Sequence, residues 1–228
     1  MHLHSDFSYR VDRVGSERQP VLVIDNFLSD PDSLIEFCAR YIKLNRVDAL
    51  YPGLRASAPE GYIQLIHYYL RDIIHSTFDI DDSMVKHVKA DYSMVLTPPE
   101  QLKLPQCMPH YDSLITTELA AVHYLCGSEH GGTSLYRHRS TGFEYIDEAR
   151  TDIYAEQLIR DLESAAYPKA YMNGSNHLFA QIASYEAVFN RIIIYRCTSL
   201  HSGNIAPDFS FEQNPRAGRL TINTFIGA

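Results

Sequence analysis

The stretch "PHYD" sets a histidine and an aspartate two positions apart, His110 and Asp112. On an extended backbone, residues i and i+2 project to one face, so imidazole and carboxylate point together while Tyr111 points away. A second histidine, His201, follows the run "RIIIYRCTSL" and precedes a Ser-Gly turn. Farther on, "GRLTINTF" sets Arg219 and Thr221 two apart in a strand pattern, again on one face. The order is His-x-Asp, then His, then Arg-x-Thr. Each piece alone has an ordinary explanation: a hydrogen-bonded loop pair, a turn histidine, a surface arginine. All four in this order favour a single site.

Two imidazoles and one carboxylate make the facial triad of non-haem Fe(II) oxygenases, which leaves one face of an octahedron open. The common co-substrate for that face is 2-oxoglutarate, which chelates through its keto and C1 carboxylate oxygens. Its distal carboxylate needs a cation, and the planar fork of Arg219 suits it, with the Thr221 hydroxyl as helper. Zinc is the rival. Cys107 and His110, Cys126 and His130, and Cys197 and His201 have the spacing of Cys/His ligand pairs. They lack the tight glycine-bearing turns of structural zinc knuckles, and iron is preferred.

The elements that position these residues begin with a buried strand at Val21–Leu28 and a helix. Asp30 caps that helix ahead of Pro31, and Leu34, Ile35, Cys38 and Ile42 form its apolar stripe. Tyr51–Pro59 reads as a loop from its Pro and Gly, Gly61–Phe78 as a second helix, and His87–Leu96 as a strand. Strands follow at Glu118–Leu125 and Thr133–Arg139, then a helical interruption at Thr151–Tyr167. An Asn-Gly turn within Tyr171–Ala187 leads to a strand, and two more end the chain. The pattern predicts an α+β fold with a β-sandwich or jelly-roll core and the N-terminal helices packed outside it. No shift in composition marks a boundary, so residues 1–228 are read as one domain, with about 1–85 as N-terminal strand and helix support.

The motifs "PHYD", "LHSG" and "GRLTINTF" resemble those of the Fe(II)/2-oxoglutarate-dependent dioxygenase superfamily. "VLVIDNFLSDPDSLIEFC" and "GGTSLYRHR" resemble elements of its prolyl-hydroxylase-like members, in a bacterial branch that implies no substrate. The resemblance implies a double-stranded β-helix core, Fe(II) held by His110, Asp112 and His201, and 2-oxoglutarate held by Arg219 and Thr221. It also matches Tyr92 to a tyrosine that touches the co-substrate. The implied reaction couples decarboxylation of 2-oxoglutarate to oxidation of a small molecule or amino-acid side chain by O2. The carboxylate of Asp112 favours hydroxylation, desaturation or demethylation over halogenation. Arg219 follows His201 by 219 − 201 = 18 positions, long for the superfamily, so "IAPDFSFEQNPRA" must be a hairpin excursion that returns in register. Otherwise Arg216 competes as the anchor.

The formal charge of −8 disfavours a nucleic-acid partner. The only dense basic stretch, "YRHR" at Tyr136–Arg139, reads as solvated edge charge, with a substrate entrance as the alternative. His123 reads as a core residue or one standing behind the ligands. The N-terminus has no apolar signal region, and no stretch approaches the roughly 18 apolar residues of a membrane span. The four scattered cysteines read as reduced thiols, so a cytoplasmic protein is expected. Two other function classes fit the same residues: a non-catalytic jelly-roll binding module, and a cupin-like metal-dependent hydrolase or isomerase in which Arg219 binds substrate.

Overall fold

The structure, a computed structural model, describes residues 1–47, 52–80, 85 and 87–227. In chain order the elements are β1 (Ser8–Val14), β2 (Gln19–Asp25), α1 (Asp32–Tyr41), β3 (Asn45–Val47), β4 (Gly53–Ser57), α2 (Glu60–Phe78) and β5 (His87–Met94). Then come β6 (Leu119–Tyr124), β7 (Gly132–His138), α3 (Thr151–Ser164), β8 (Phe179–Glu186), β9 (Ile192–Arg196), β10 (His201–Asn204) and β11 (Leu220–Gly227). Eight strands form one sheet in the order β1-β2-β9-β6-β11-β5-β4-β3, and β10-β7-β8 form a second. All strand pairs in both are antiparallel. An isolated bridge to His201 adds the chain at His110 to the free edge of β10.

Period-two alternation builds the layers. Leu22, Ile24, Ala121, Ile192, Ile194 and Ile222 share one apolar cluster with Leu34 of α1 and Ile66 and Leu70 of α2. The alternate residues Val21, Val23, Ala120, Val122, Ile193 and Tyr195 join Leu135 of β7 and Tyr185 of β8 in another. The large sheet is thus covered by helices on one face and by the small sheet on the other. A strand buried on both faces reads as an unbroken apolar run, as "VLVI" and "IIIY" do. On α2, Tyr62, Ile66, Leu70, Ile74 and Phe78 fall four apart and all are buried. On α1, Leu34 and Cys38 are buried with Ile35 beside them, whereas Ile42 falls just past the helix end; Pro31, not Asp30, takes the cap position, and Asp30 Oδ1 accepts the Ser33 amide at 3.3 Å. The helical interruption, α3, packs Tyr154 against Tyr136 and Phe179 on the outside of the small sheet.

The structure corrects three expectations. The stretch read as a loop at Tyr51–Pro59 contains β4, hydrogen-bonded between β3 and β5; Tyr51 itself lies outside the described residues. Glycine is required there because a Cβ on Gly53 would collide with the Met94 carbonyl. The "YRHR" stretch is not edge charge. β7 is the middle strand of its sheet, Tyr136 and His138 are buried, and Arg137 is paired to Glu144. Residues 205–218 form no strand hairpin. They wind back through turns, with Phe209 and Phe211 packed against Ile205 and Tyr171, and rejoin the sheet at Leu220.

Two buried polar hubs lock the layers. His123, fully buried in β6, lies 3.1 Å from the Tyr62 hydroxyl at Nδ1 and 3.2 Å from Asn190 Oδ1 at Nε2. The amide oxygen can only accept, so Nε2 carries the proton and Nδ1 accepts from Tyr62. Burial lowers the His123 pKa to about 4, the bond to Asn190 opposing. Glu144 is the second hub. Its carboxylate accepts the amides of Ser16 and Glu17, each at 2.9 Å, and Arg137 Nε at 2.8 Å. Burial alone would raise the Glu144 pKa; these donors together hold it below the usual carboxylate range. The main chain around it receives the segment before β10: Leu200 N donates to Glu144 O at 2.9 Å, and Ile146 N donates to Thr198 O at 2.8 Å.

Because the folded pKa of His123 lies below the unfolded value near 6.5, the unfolded chain takes up the proton first. Stability from this group is therefore constant above pH 7 and falls by about 3 kcal/mol as pH drops from 6.5 to 4. Urea melts across that range are expected to show this slope in the wild type and a shallower one in His123→Gln. Glu144→Gln turns an amide group toward the Ser16, Glu17 and Arg137 donors and is expected to destabilise the fold by about 2 kcal/mol at neutral pH, read in the same melts.

Candidate metal centre

The backbone bridge creates the site. His110 N donates to His201 O at 2.9 Å, and His201 N donates to His110 O at 2.8 Å. Asp112 N donates to the Cys197 carbonyl at 2.8 Å, which fixes the carboxylate beside the pair. His110 Nε2 stands 3.7 Å from Asp112 Oδ1, and His201 Nε2 stands 3.4 Å from Asp112 Oδ2. One donor atom from each residue lies within 4.8 Å of the others, and among the described residues no other group of three His, Cys, Asp or Glu side chains does this. Ligands with bonds near 2.1 Å at right angles sit about 3 Å apart, so a small contraction closes this set around one ion.

The proton positions suit a metal. His201 Nδ1 lies 2.9 Å from the Ser199 carbonyl. A carbonyl only accepts, so Nδ1 carries the hydrogen and Nε2 presents its lone pair toward Asp112. Burial pulls the His110 pKa well below 6.5, and the charges of His201 and Arg55 add to the effect. The ring is therefore neutral and able to ligate. Burial raises the Asp112 pKa, against the opposing pull of His201 and Arg55. Its side chain is 20 % exposed although the residue as a whole is open, so the exposure lies mainly in its backbone. The set of two imidazoles and one carboxylate fits Fe(II).

These three line a cavity with Arg55, Tyr195 and Arg219. Arg219 is 3 % exposed. Its Nε donates to the His130 carbonyl at 3.0 Å and its Nη2 to the Gly132 carbonyl at 2.8 Å, which hold the guanidinium in one orientation. Arg219 alternates with Asn223 and Phe225 of β11 along one cavity wall. Thr221 shares that face but is not a wall residue. Its hydroxyl lies 3.0 Å from Asn223 Oδ1 and 3.4 Å from the Ser93 carbonyl. Arg216 is elsewhere, on the surface, with Nε and Nη2 donating to Glu36 at 2.6 and 2.9 Å.

Tyr92 requires a correction. It lies on the helix-covered face of the large sheet, and its hydroxyl donates to the Leu34 carbonyl at 2.9 Å. It does not touch the cavity. The tyrosine that does is Tyr195, whose ring centroid is 4.8 Å from that of His201. Burial first, then the neighbouring Asp112, pushes its pKa well above the ordinary range, so it remains a phenol. Neither Tyr195 nor Arg55 was expected. Arg55 was hidden in the stretch read as a loop, and Tyr195 in an apolar run. Among the described residues the cysteines join no metal group; all four are buried free thiols. Arg137 and Arg139 do not reach the cavity either: Arg137 binds Glu144 and Arg139 Nε donates to the Asn176 carbonyl.

No curated protein sequence matches the chain. Among solved structures, the chain is similar to the non-heme alpha-ketoglutarate-dependent carbocyclase SnoK from nogalamycin biosynthesis, with a TM-score of 0.54 and 12% identity, over 92% of this chain and 80% of that one. It also matches HygX from Streptomyces hygroscopicus, solved with nickel, 2-oxoglutarate and hygromycin B bound, at TM-score 0.49 and 12% identity, over 92% and 83% of the two chains. An N-substituted L-amino acid dioxygenase from Burkholderia ambifaria matches at TM-score 0.45 and 9% identity, over 98% and 94%. At such identities the likeness to SnoK speaks to the fold alone. The sequence itself matches a family profile over residues 5–226, and the chain belongs to that family, the family of unknown function DUF6445.

Proposed function

We propose that this protein is an Fe(II)- and 2-oxoglutarate-dependent oxygenase acting on a small molecule or an amino-acid side chain. The observation that carries the reading is the convergence of His110, Asp112 and His201 with a carbonyl-braced arginine, Arg219, in one cavity. The strand order supports it: β5-β11-β6-β9 facing the His110 segment and β10-β7-β8 is that of a double-stranded β-helix, or jelly roll. The remaining strands and helices of the N-terminal part extend and cover that single core. Four buried free thiols are compatible with a reducing cytoplasm, and among the described residues no helix is long and apolar enough to cross a membrane.

When bound, iron and 2-oxoglutarate would supply the oxidising power, in the balance R–H + O2 + 2-oxoglutarate → R–OH + succinate + CO2. The chain's own residues bind, orient and exclude water. His110, Asp112 and His201 would hold the ion. Arg219 and the Tyr195 phenol offer donors to the distal carboxylate, Arg219 with its orientation already set by the His130 and Gly132 carbonyls. That bracing lowers the ordering cost of each new hydrogen bond. Ala120, Val122 and Phe225 supply the apolar part of the wall, beside the polar Thr133 and Asn223.

Anaerobic titration of 2-oxoglutarate into the Fe(II)-loaded protein is expected to produce the visible metal-to-ligand charge-transfer band of a chelated keto acid. His201→Ala is expected to lose both iron stoichiometry and band. A wild type that binds iron without ever giving the band would overturn the co-substrate reading and favour the binding-module or hydrolase classes. Arg219→Gln is expected to keep the iron and to weaken 2-oxoglutarate at least tenfold, since a charge-assisted bidentate contact is worth about 1.5–3 kcal/mol. Unchanged affinity would move the anchor to another residue.

A further inference from the structure

Arg55 enters the cavity from β4. Its level is set by strand register: Arg55 pairs with Ser93, and Ser93 with Thr221. It therefore stands two strands across from the wall that bears Arg219. Both guanidiniums line the cavity that holds the triad, Arg55 from β4 and Arg219 from the residue before β11.

The proposed co-substrate has two carboxylates, one for the metal and one for Arg219. Neither requires Arg55. Asp112, the carboxylate of the triad, lines the same cavity as Arg55. A dication bound there takes up that carboxylate's charge and adds positive potential close to the guanidinium. Whatever else Arg55 touches, its attraction for a further anion rises when the metal site fills.

We propose that Arg55 receives a carboxylate of the prime substrate and so presents a nearby C–H bond to the metal; this rests on the oxygenase reading above. The planar fork grips a carboxylate through two parallel hydrogen bonds, which orients as well as binds. The apolar wall of Ala120, Val122 and Phe225 faces what remains of the substrate. The class implied is small organic acids, amino acids included, oxidised within a few bonds of the carboxylate. Neutral sugars and amines do not belong to it.

The test uses Mn(II) as a paramagnetic stand-in and propionate as the probe, with propionamide as its uncharged twin. In the full-length protein loaded with Mn(II) and 2-oxoglutarate, relaxation of the probe methyl protons reports binding beside the metal. Propionate is expected to bind about tenfold or more tightly than propionamide. Arg55→Gln is expected to bring propionate down to the propionamide level, and Arg55→Lys to keep part of the difference. Manganese binding, which a merely structural role for Arg55 would weaken, is expected to hold in both variants. Propionate held equally well by Arg55→Gln, or no preference for acid over amide in the wild type, overturns the proposal. Failure of 2-oxoglutarate to bind the Mn(II)-loaded wild type counts instead against the oxygenase reading, and the same propionate comparison on the Mn(II)-only protein then decides the role of Arg55.

Discussion

Two backbone hydrogen bonds exchanged between His110 and His201 carry the site. They join a segment before β6 to the start of β10, and side chains 201 − 110 = 91 positions apart become neighbours. A bridge of this kind fixes distance and direction together, because both residues of the pair sit in one register. Everything else in the neighbourhood serves to hold that register. The Cys197 carbonyl catches Asp112 from one side, and the main chain at Glu144 catches Leu200 from the other. Glu144 is itself anchored by the turn between β1 and β2, so the N-terminal hairpin helps support the imidazole of His201 from a distance.

The electrostatics of the centre follow from burial. A buried imidazole is cheaper neutral, and a neutral imidazole is the form that ligates. The bond from His201 Nδ1 to Ser199 then selects the tautomer. No specific positive device is needed for the carboxylate: the same desolvation that raises its pKa makes it eager for a cation. The cavity thereby brings together one carboxylate, two imidazoles and two guanidiniums, from Asp112, His110, His201, Arg55 and Arg219.

The candidate site residues His110, Asp112, His201 and Arg219 were read from their types, spacing and order, the His-x-Asp pair, then the histidine, then the Arg-x-Thr pair. The two long helices and most strands were legible from periodicity. Tyr92 was matched by resemblance alone, and alternation could not check its face because the second half of β5 is an unbroken buried run. Tyr195 was masked in the same way by the flanking isoleucines. Arg55 was missed because Gly53 and the prolines suggested a loop, whereas the neighbouring edge of β5 recruits the segment as a strand. The turns of residues 205–218 were illegible because their order comes from Tyr171, far away in sequence.

The long span between the two histidines also has a kinetic meaning. Closing a loop of that size loses chain entropy that only a nearly complete sheet can offset, so the His110–His201 bridge belongs among the late contacts of folding. A metal ion meeting the nascent chain finds isolated donors rather than a chelate. On the oxygenase reading, metal loading would then follow completion of the fold, and a bound ion would stabilise the protein by mass action on the native state rather than by nucleating it.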